Sequence, residues 1–140
     1  MTLRASNLKV GDSHTEEVVK NLSRTQIVQY AGASGDYNPL HSDEIFTTQI
    51  AGYPSVFAHG MLSMGMTGKM LTNYVGDGQL TNYGVRFTAQ VWPGDTLNAT
   101  ATVTGLRQEG DQHFVDLEIT TTNEEGIAVI KGSASARVDP

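Results

Sequence analysis

The segment from Ala58 to Tyr74 constrains the fold most, because its apolar side chains fall on all sides of a helix rather than along one stripe. This pattern predicts a helix that is buried on every side, so the rest of the chain must wrap around it. The segment also contains Gly60, Gly65 and Gly68, although an interior glycine costs a helix about 1 kcal/mol relative to alanine. We therefore expect other groups to approach the helix backbone closely at these glycines.

After Gln79, the chain changes from helical spacing to an alternation of apolar and polar residues, which is typical of half-buried β-strands. Turn sequences at 92–95, 108–111 and 123–126 divide this region into four predicted strands. Because the connections are short, each strand is expected to pair antiparallel with the next one along the chain. An antiparallel sheet wrapped around the central helix satisfies both patterns and predicts an α+β fold.

Two shorter helices are predicted before the central helix. Ser23 and Gln26 have the spacing of a capping box, so a helix is expected to begin there and to end at the glycines of 32–35. A second helix of about two turns is expected after Ser42, with the Ser42 side chain as its cap. A short strand is expected over 15–20, before the first helix.

The composition narrows the classes of function. The chain has 140 residues, of which 39% are apolar, and this favours one domain over residues 1–140. No apolar run approaches the roughly 18 to 20 residues of a membrane span, and the first residues lack an apolar signal-peptide core. We therefore expect a cytoplasmic protein without a membrane partner. The net charge of −6 and the absence of a basic block also argue against nucleic-acid binding.

The densest group of reactive side chains lies in the loop between the two shorter helices. Asp36 and His41 stand on either side of Asn38 and a proline, so their side chains can converge on one water molecule. General acid–base catalysis requires such a convergence. The same residue types are also common in turns that have no catalytic role, so a purely structural loop remains the alternative.

The start of the central helix, at His59 and Gly60, is the second candidate site. A helix N-terminus has unpaired amides and a positive potential, and a glycine lets a carbonyl oxygen approach the backbone. These properties suit an oxyanion site. The alternative is that Gly60 only relieves crowding and that His59 is a hydrogen-bonded structural residue.

Neither a metal nor a cofactor is expected. A metal set made from His41, His59, Asp43 and Glu44 lacks the helical histidine pair at a spacing of four that marks many zinc sites. The chain has no cysteine, and no glycine-rich phosphate loop follows a strand. Any chemistry is therefore expected to come from histidines, carboxylates, hydroxyls and backbone amides.

Three segments resemble the signatures of the MaoC-like dehydratases, the hydratase 2 family. They are YAGASGDYNPLH at 30–41, FAHGML at 57–62, and VRFTAQV at 85–91 followed by PGD at 93–95. The resemblance covers most of the chain from Ser23 onward. It implies a single hot-dog fold, in which a curved antiparallel sheet wraps around a long central helix.

The resemblance also implies an activity and a set of site residues. The family consists of (R)-specific 2-enoyl-thioester hydratases and 3-hydroxyacyl-thioester dehydratases, which act on acyl-CoA or acyl-carrier-protein substrates in fatty-acid metabolism. By resemblance, Asp36 and His41 form the catalytic pair and the Gly60 amide polarises the thioester carbonyl. Asn38 is expected to hold the loop or to orient the pair.

Three points stay open at this stage. Some family members have a serine in the second turn of the central helix or beyond it, where this chain offers Ser63, Thr67 and Gly68. A hot-dog acyl-CoA thioesterase and a subunit of a heterodimeric dehydratase remain alternative functions. Because one sheet around one helix leaves an open edge and exposed apolar surface, we expect a dimer, with a homodimer favoured and a heterodimer as the alternative.

Overall fold

The chain forms two α-helices and five strands, and the computed structural model describes residues 2–140. In chain order the elements are β1 (Ser13–Val19), α1 (Arg24–Ser34), α2 (Gly60–Val75), β2 (Leu80–Phe87), β3 (Leu97–Glu109), β4 (Gln112–Thr122) and β5 (Ala128–Val138). Single 3₁₀ turns occur at Ala5–Asn7 and Pro39–His41, and a π-helix occurs at Phe46–Ile50. Within residues 2–140, no helix has the length and apolar character needed to cross a membrane.

The five strands form one antiparallel sheet in the order β1-β3-β4-β5-β2. The predicted hairpins between β3 and β4 and between β4 and β5 are confirmed. The predicted pairing of β2 with β3 is wrong, because β2 pairs with β5 at the opposite edge. The connecting segment bonds elsewhere: the Ala58 amide donates to the Val91 carbonyl at 2.8 Å, and the Gly94 amide donates to the Leu22 carbonyl at 2.7 Å.

Helix α2 packs on the inner face of the sheet, and the main apolar core lies between the helix and the sheet. Its buried residues include Met70, Leu71 and Val75, which pack against alanine, valine, leucine and isoleucine side chains of β3, β4 and β5. The expectation that this helix is buried on every side is wrong, because the sheet covers only one face. Met61, on the uncovered face, is 56% exposed.

Close approach to the helix backbone occurs at two of the three glycines. A Cβ atom at Gly60 would lie 3.0 Å from the Phe87 ring, and one at Gly68 would lie 3.2 Å from the Tyr83 ring. The Tyr83 hydroxyl donates a hydrogen bond to a main-chain oxygen of α2 at 2.7 Å. The expectation fails at Gly65, where a Cβ atom would meet nothing within 4 Å.

The capping box that begins α1 is confirmed. The Gln26 amide donates to the Ser23 hydroxyl oxygen at 3.0 Å, and the Ser23 amide donates to the Gln26 side-chain oxygen at 2.9 Å. The helix ends at Gly35, whose φ of 75° is the left-handed conformation that glycine adopts without strain. The end of α1 at Gly35 therefore fixes where the loop that carries Asp36 begins.

The second short helix differs from the prediction. It is the π-helix at Phe46–Ile50, and the side chain that accepts from the Phe46 amide, at 3.0 Å, belongs to Asp43 rather than to Ser42. The Ser42 amide instead closes the preceding 3₁₀ turn by donating to the Pro39 carbonyl at 3.3 Å. Ser42 therefore belongs to the turn, and the helix starts after it.

Candidate active site

The loop that carries Asp36 is shaped by three side-chain to backbone hydrogen bonds. The Ser34 hydroxyl oxygen accepts from the Asp36 amide at 3.1 Å, and an Asp36 carboxylate oxygen accepts from the Asn38 amide at 3.2 Å. The Asn38 side-chain oxygen then accepts from the Leu40 amide at 3.0 Å. Because each short polar side chain satisfies an amide two residues further on, the chain turns tightly without regular structure.

His41 lies at the end of this loop and is fixed by a main-chain oxygen. Its Nδ1 atom is 2.6 Å from the Phe57 carbonyl oxygen, which can only accept, so Nδ1 carries a proton. In the neutral ring, Nε2 is then free to act as a base. Burial lowers the pKa of His41 below its ordinary value of 6.5 and outweighs the Phe57 carbonyl and Asp36, which raise it. The ring is therefore neutral and basic at neutral pH.

His59 lies against both members of the proposed pair. Its side chain is buried, and Nε2 donates a hydrogen bond to the main-chain oxygen of Asp36 at 3.0 Å. Its ring stacks on the His41 ring, with centroids 3.8 Å apart and planes inclined by 24°. The Nδ1 atom of His59 is buried and has no hydrogen-bond partner in residues 2–140.

One side-chain atom from each of Asp36, His41 and His59 falls within 4.8 Å of the other two. The residues weighed for a metal from the sequence are thus only partly brought together, because Glu44 pairs with Arg24 and Asp43 accepts from a backbone amide. The two imidazoles stack with centroids 3.8 Å apart, and each uses one ring nitrogen to hold a main-chain oxygen. The geometry therefore favours a proton-transfer site, and the absence of a metal stays a prediction.

A cavity of about 330 Å³ opens beside the start of α2. Gly60, Phe57 and Phe87 contribute to its walls. Gly60 is the first residue of α2, so its amide has no acceptor within the helix and lies at the positive end of the helix dipole. Asp36 and His41 are not among the wall residues, but Phe57 is, and its ring contacts the His41 ring edge-on with centroids 5.4 Å apart.

The structure distinguishes the hydroxyl groups that the sequence left open on α2. Ser63 is buried, lines the cavity and has no hydrogen-bond partner among the residues that the structure describes. The Thr67 hydroxyl is instead hydrogen-bonded to that of Thr121 in β4, at 2.8 Å in the core. Ser63 is therefore the hydroxyl available to a bound molecule.

Comparison with known proteins gives the family. Residues 6–125 match the family model described as MaoC like domain. The chain belongs to this family. It is 37% identical over 131 residues to an (R)-specific enoyl-CoA hydratase of Rhodospirillum rubrum, and the match covers 92% of the chain and 88% of the relative. It is 38% identical over 90 residues to 3-hydroxyacyl-thioester dehydratase Y of Mycobacterium tuberculosis, covering 62% of the chain but 31% of that relative.

Solved structures support the same fold. An (R)-hydratase from A. caviae involved in PHA biosynthesis superposes with a TM-score of 0.82 at 26% identity, over 96% of this chain and 99% of that one. A MaoC-like dehydratase superposes with a TM-score of 0.85 at 31% identity, over 99% of this chain and 43% of that one. The predicted α+β hot-dog fold is thereby confirmed.

Proposed function

We propose that this protein is an (R)-specific 2-enoyl-thioester hydratase, and in the reverse direction a 3-hydroxyacyl-thioester dehydratase, acting on acyl-CoA or acyl-carrier-protein thioesters. The observation that carries the proposal is the free Nε2 of a neutral His41, placed beside Asp36 and held by the Phe57 carbonyl. A related protein of 37% identity, matched over 92% of the chain, has the name (R)-specific enoyl-CoA hydratase.

In the hydration direction, the pair activates a water molecule. His41 Nε2 accepts a proton from the water as its oxygen bonds to the β-carbon of the enoyl thioester. Asp36 completes the hydrogen bonding of the water and stabilises the imidazolium that forms. The pair then returns one proton to the α-carbon, so one water molecule is added and no co-reactant is consumed.

The Gly60 amide serves the other end of the conjugated system. As the water adds, negative charge develops on the thioester oxygen, and a preoriented amide at a helix N-terminus stabilises that charge. Asn38 is assigned to holding the loop, because its side chain accepts from the Leu40 amide rather than lying free. No group outside the chain and the substrate is needed for this reaction.

The test follows the absorbance of crotonyl-CoA and of longer enoyl-CoA substrates, because hydration removes the conjugated chromophore. Asp36→Asn and His41→Gln are each expected to lower turnover by about 10²- to 10⁴-fold. Asp36→Asn keeps an oxygen for the Asn38 amide, so the loop should persist. Asp43→Asn is the matched control, since it removes one carboxylate nearby and keeps an oxygen for the Phe46 amide.

The outcomes separate the proposed hydratase from its alternatives. Chromophore loss with an (R)-3-hydroxyacyl product supports the proposal, whereas release of free thiol would support the thioesterase. Near-normal turnover in a folded Asp36→Asn or His41→Gln protein would remove that residue from the mechanism.

We further propose that the protein acts as a homodimer. Strand β2 is an unpaired sheet edge, and near it Phe87 and Met61 are 48% and 56% exposed. Apolar side chains beside a free strand edge favour association. Sedimentation velocity should give twice the chain mass, and a fully active monomer would contradict the proposal. A cytoplasmic location and a single domain over 1–140 stay predictions from the sequence.

A further inference from the structure

We propose that His59 is a positioning residue that holds the Asp36 loop, the His41 ring and the start of α2 in one arrangement. The inference deepens the proposed hydratase function and rests on it. His59 is buried and immediately precedes Gly60, and its ring contacts both members of the pair.

Three segments that are distant along the chain meet at this imidazole. Its Nε2 atom donates to the main-chain oxygen of Asp36 at 3.0 Å, which fixes the loop after α1. Its face covers the His41 ring at 3.8 Å between centroids. Its own backbone is extended, with φ −59° and ψ 136°, and places the following residue, Gly60, as the first residue of α2. A shift of His59 would therefore move all three proposed participants.

The His59 side chain makes two kinds of contact. Its planar ring stacks on His41, and its Nε2–H group holds the Asp36 carbonyl oxygen. Because Nε2 carries the hydrogen, Nδ1 is an acceptor, and it is buried without a partner in the described part of the chain. A buried side chain with only a structural role normally has its polar atoms satisfied. The unsatisfied Nδ1 atom beside the His41 ring therefore favours a role at the site over a purely structural one.

Two substitutions separate the two contacts. His59→Gln retains an N–H donor for the Asp36 carbonyl but removes the stacked ring, and His59→Phe retains the ring but removes the donor. Each is expected to lower kcat by about 10- to 10²-fold with little change in KM, because small misplacements of reacting groups cost up to about 10²-fold. His14→Gln is the matched control: His14 also stacks on an aromatic ring, Tyr74, and bonds to a carboxylate, Glu16, but on β1.

The pH profile gives a readout that a merely structural role would not move. The groups that face His41 are His59, Asp36 and the Phe57 carbonyl. In His59→Gln, loss of the covering ring admits water, so the acid limb of kcat should move up toward the ordinary histidine range. In His59→Phe the cover remains and the limb should stay near its wild-type position. Unchanged kcat and unchanged pH profiles in both variants would overturn the proposal.

An NMR measurement on the wild-type protein tests the role of His59 without a substrate and without any substitution. ¹⁵N chemical shifts of the histidine rings should show the hydrogen of His59 on Nε2 and that of His41 on Nδ1. A His59 ring that is Nδ1–H would overturn the positioning role even if hydration is confirmed. If the tautomer is as expected but the wild-type protein does not hydrate enoyl thioesters, the proposed function fails and the contact geometry stands.

Discussion

Substituting Gly60 by alanine tests whether the glycine serves the substrate or only the packing of Phe87. The added Cβ would lie 3.0 Å from Cε2 and Cζ of the Phe87 ring, so the ring must move by a few tenths of an ångström. Overpacking of this kind costs about 1 to 3 kcal/mol, and exchanging glycine for alanine in a helix returns at most about 1 kcal/mol. The free energy of unfolding should therefore fall by about 0 to 3 kcal/mol, which leaves the protein folded.

The effect on activity should be larger. If the Gly60 amide binds the thioester oxygen, a methyl group on the cavity wall displaces that oxygen. Loss of one oxyanion donor lowers turnover by about 10²- to 10³-fold, or about 2.7 to 4 kcal/mol. We expect a loss of that size in kcat/KM for crotonyl-CoA hydration, measured by absorbance, with the free energy of unfolding measured by urea denaturation on the same samples.

A second background separates the two explanations. In Phe87→Ala the ring that crowds the new methyl group is gone, so adding Gly60→Ala should no longer destabilise the protein. The loss of kcat/KM caused by Gly60→Ala should nevertheless be the same in both backgrounds. If that loss disappears when the Phe87 ring is absent, the glycine is needed only to leave space for that ring, and the Gly60 amide has no role in the reaction.

Three further predictions concern pH dependence and stability. Because burial lowers the pKa of His41 and the protonated ring cannot accept a proton, kcat/KM should fall as the pH drops through a value below 6.5; an acid limb above 6.5 would contradict this. Thr67→Val strands the buried Thr121 hydroxyl, so urea denaturation should show a loss of about 1 to 3 kcal/mol, and adding Thr121→Val should recover part of it; additive losses would argue against this hydroxyl pair. Ser23→Ala removes the capping box and should cost about 0.5 to 2 kcal/mol in the same assay, with unchanged kcat; an unchanged free energy of unfolding would mean that the box does not contribute.

The strands were predictable because alternation is a local property that the folded sheet preserves. Residues of β3 such as Ala99, Ala101 and Val103 are buried, and their neighbours are less so, as the sequence pattern requires. The edge position of β2 was not predictable from loop length. Part of the segment after β2 makes hydrogen bonds with residues that precede α1 and α2, and such long-range bonds leave no periodic signal.

The candidate site was also predictable only in part. The Asp36 and His41 side chains were identifiable because they share one short loop, and Gly60 was identifiable because a glycine begins an apolar helix. The Phe57 carbonyl that fixes His41 carries no side-chain signature, and the stacking of His59 on His41 depends on how α2 meets the loop. The sequence did identify His59 as a candidate, because it precedes Gly60 at the helix start. Its contacts with His41 and Asp36 are visible only in the structure.

The order of strands has a consequence for how the chain folds during synthesis. Both edge strands precede the strands that pair with them: β1 reaches β3 through contacts such as Ser13 with Thr102, and β2 reaches β5 through Leu80 with Ala136. The β3-β4-β5 hairpins can form locally, whereas the edges close long loops and should be added later. A ribosome-bound chain that ends before β5 therefore contains every proposed site residue but lacks β5 and the pairing of β2 with it. The site residues, which precede β2, should therefore acquire their working geometry only after β5 has been made.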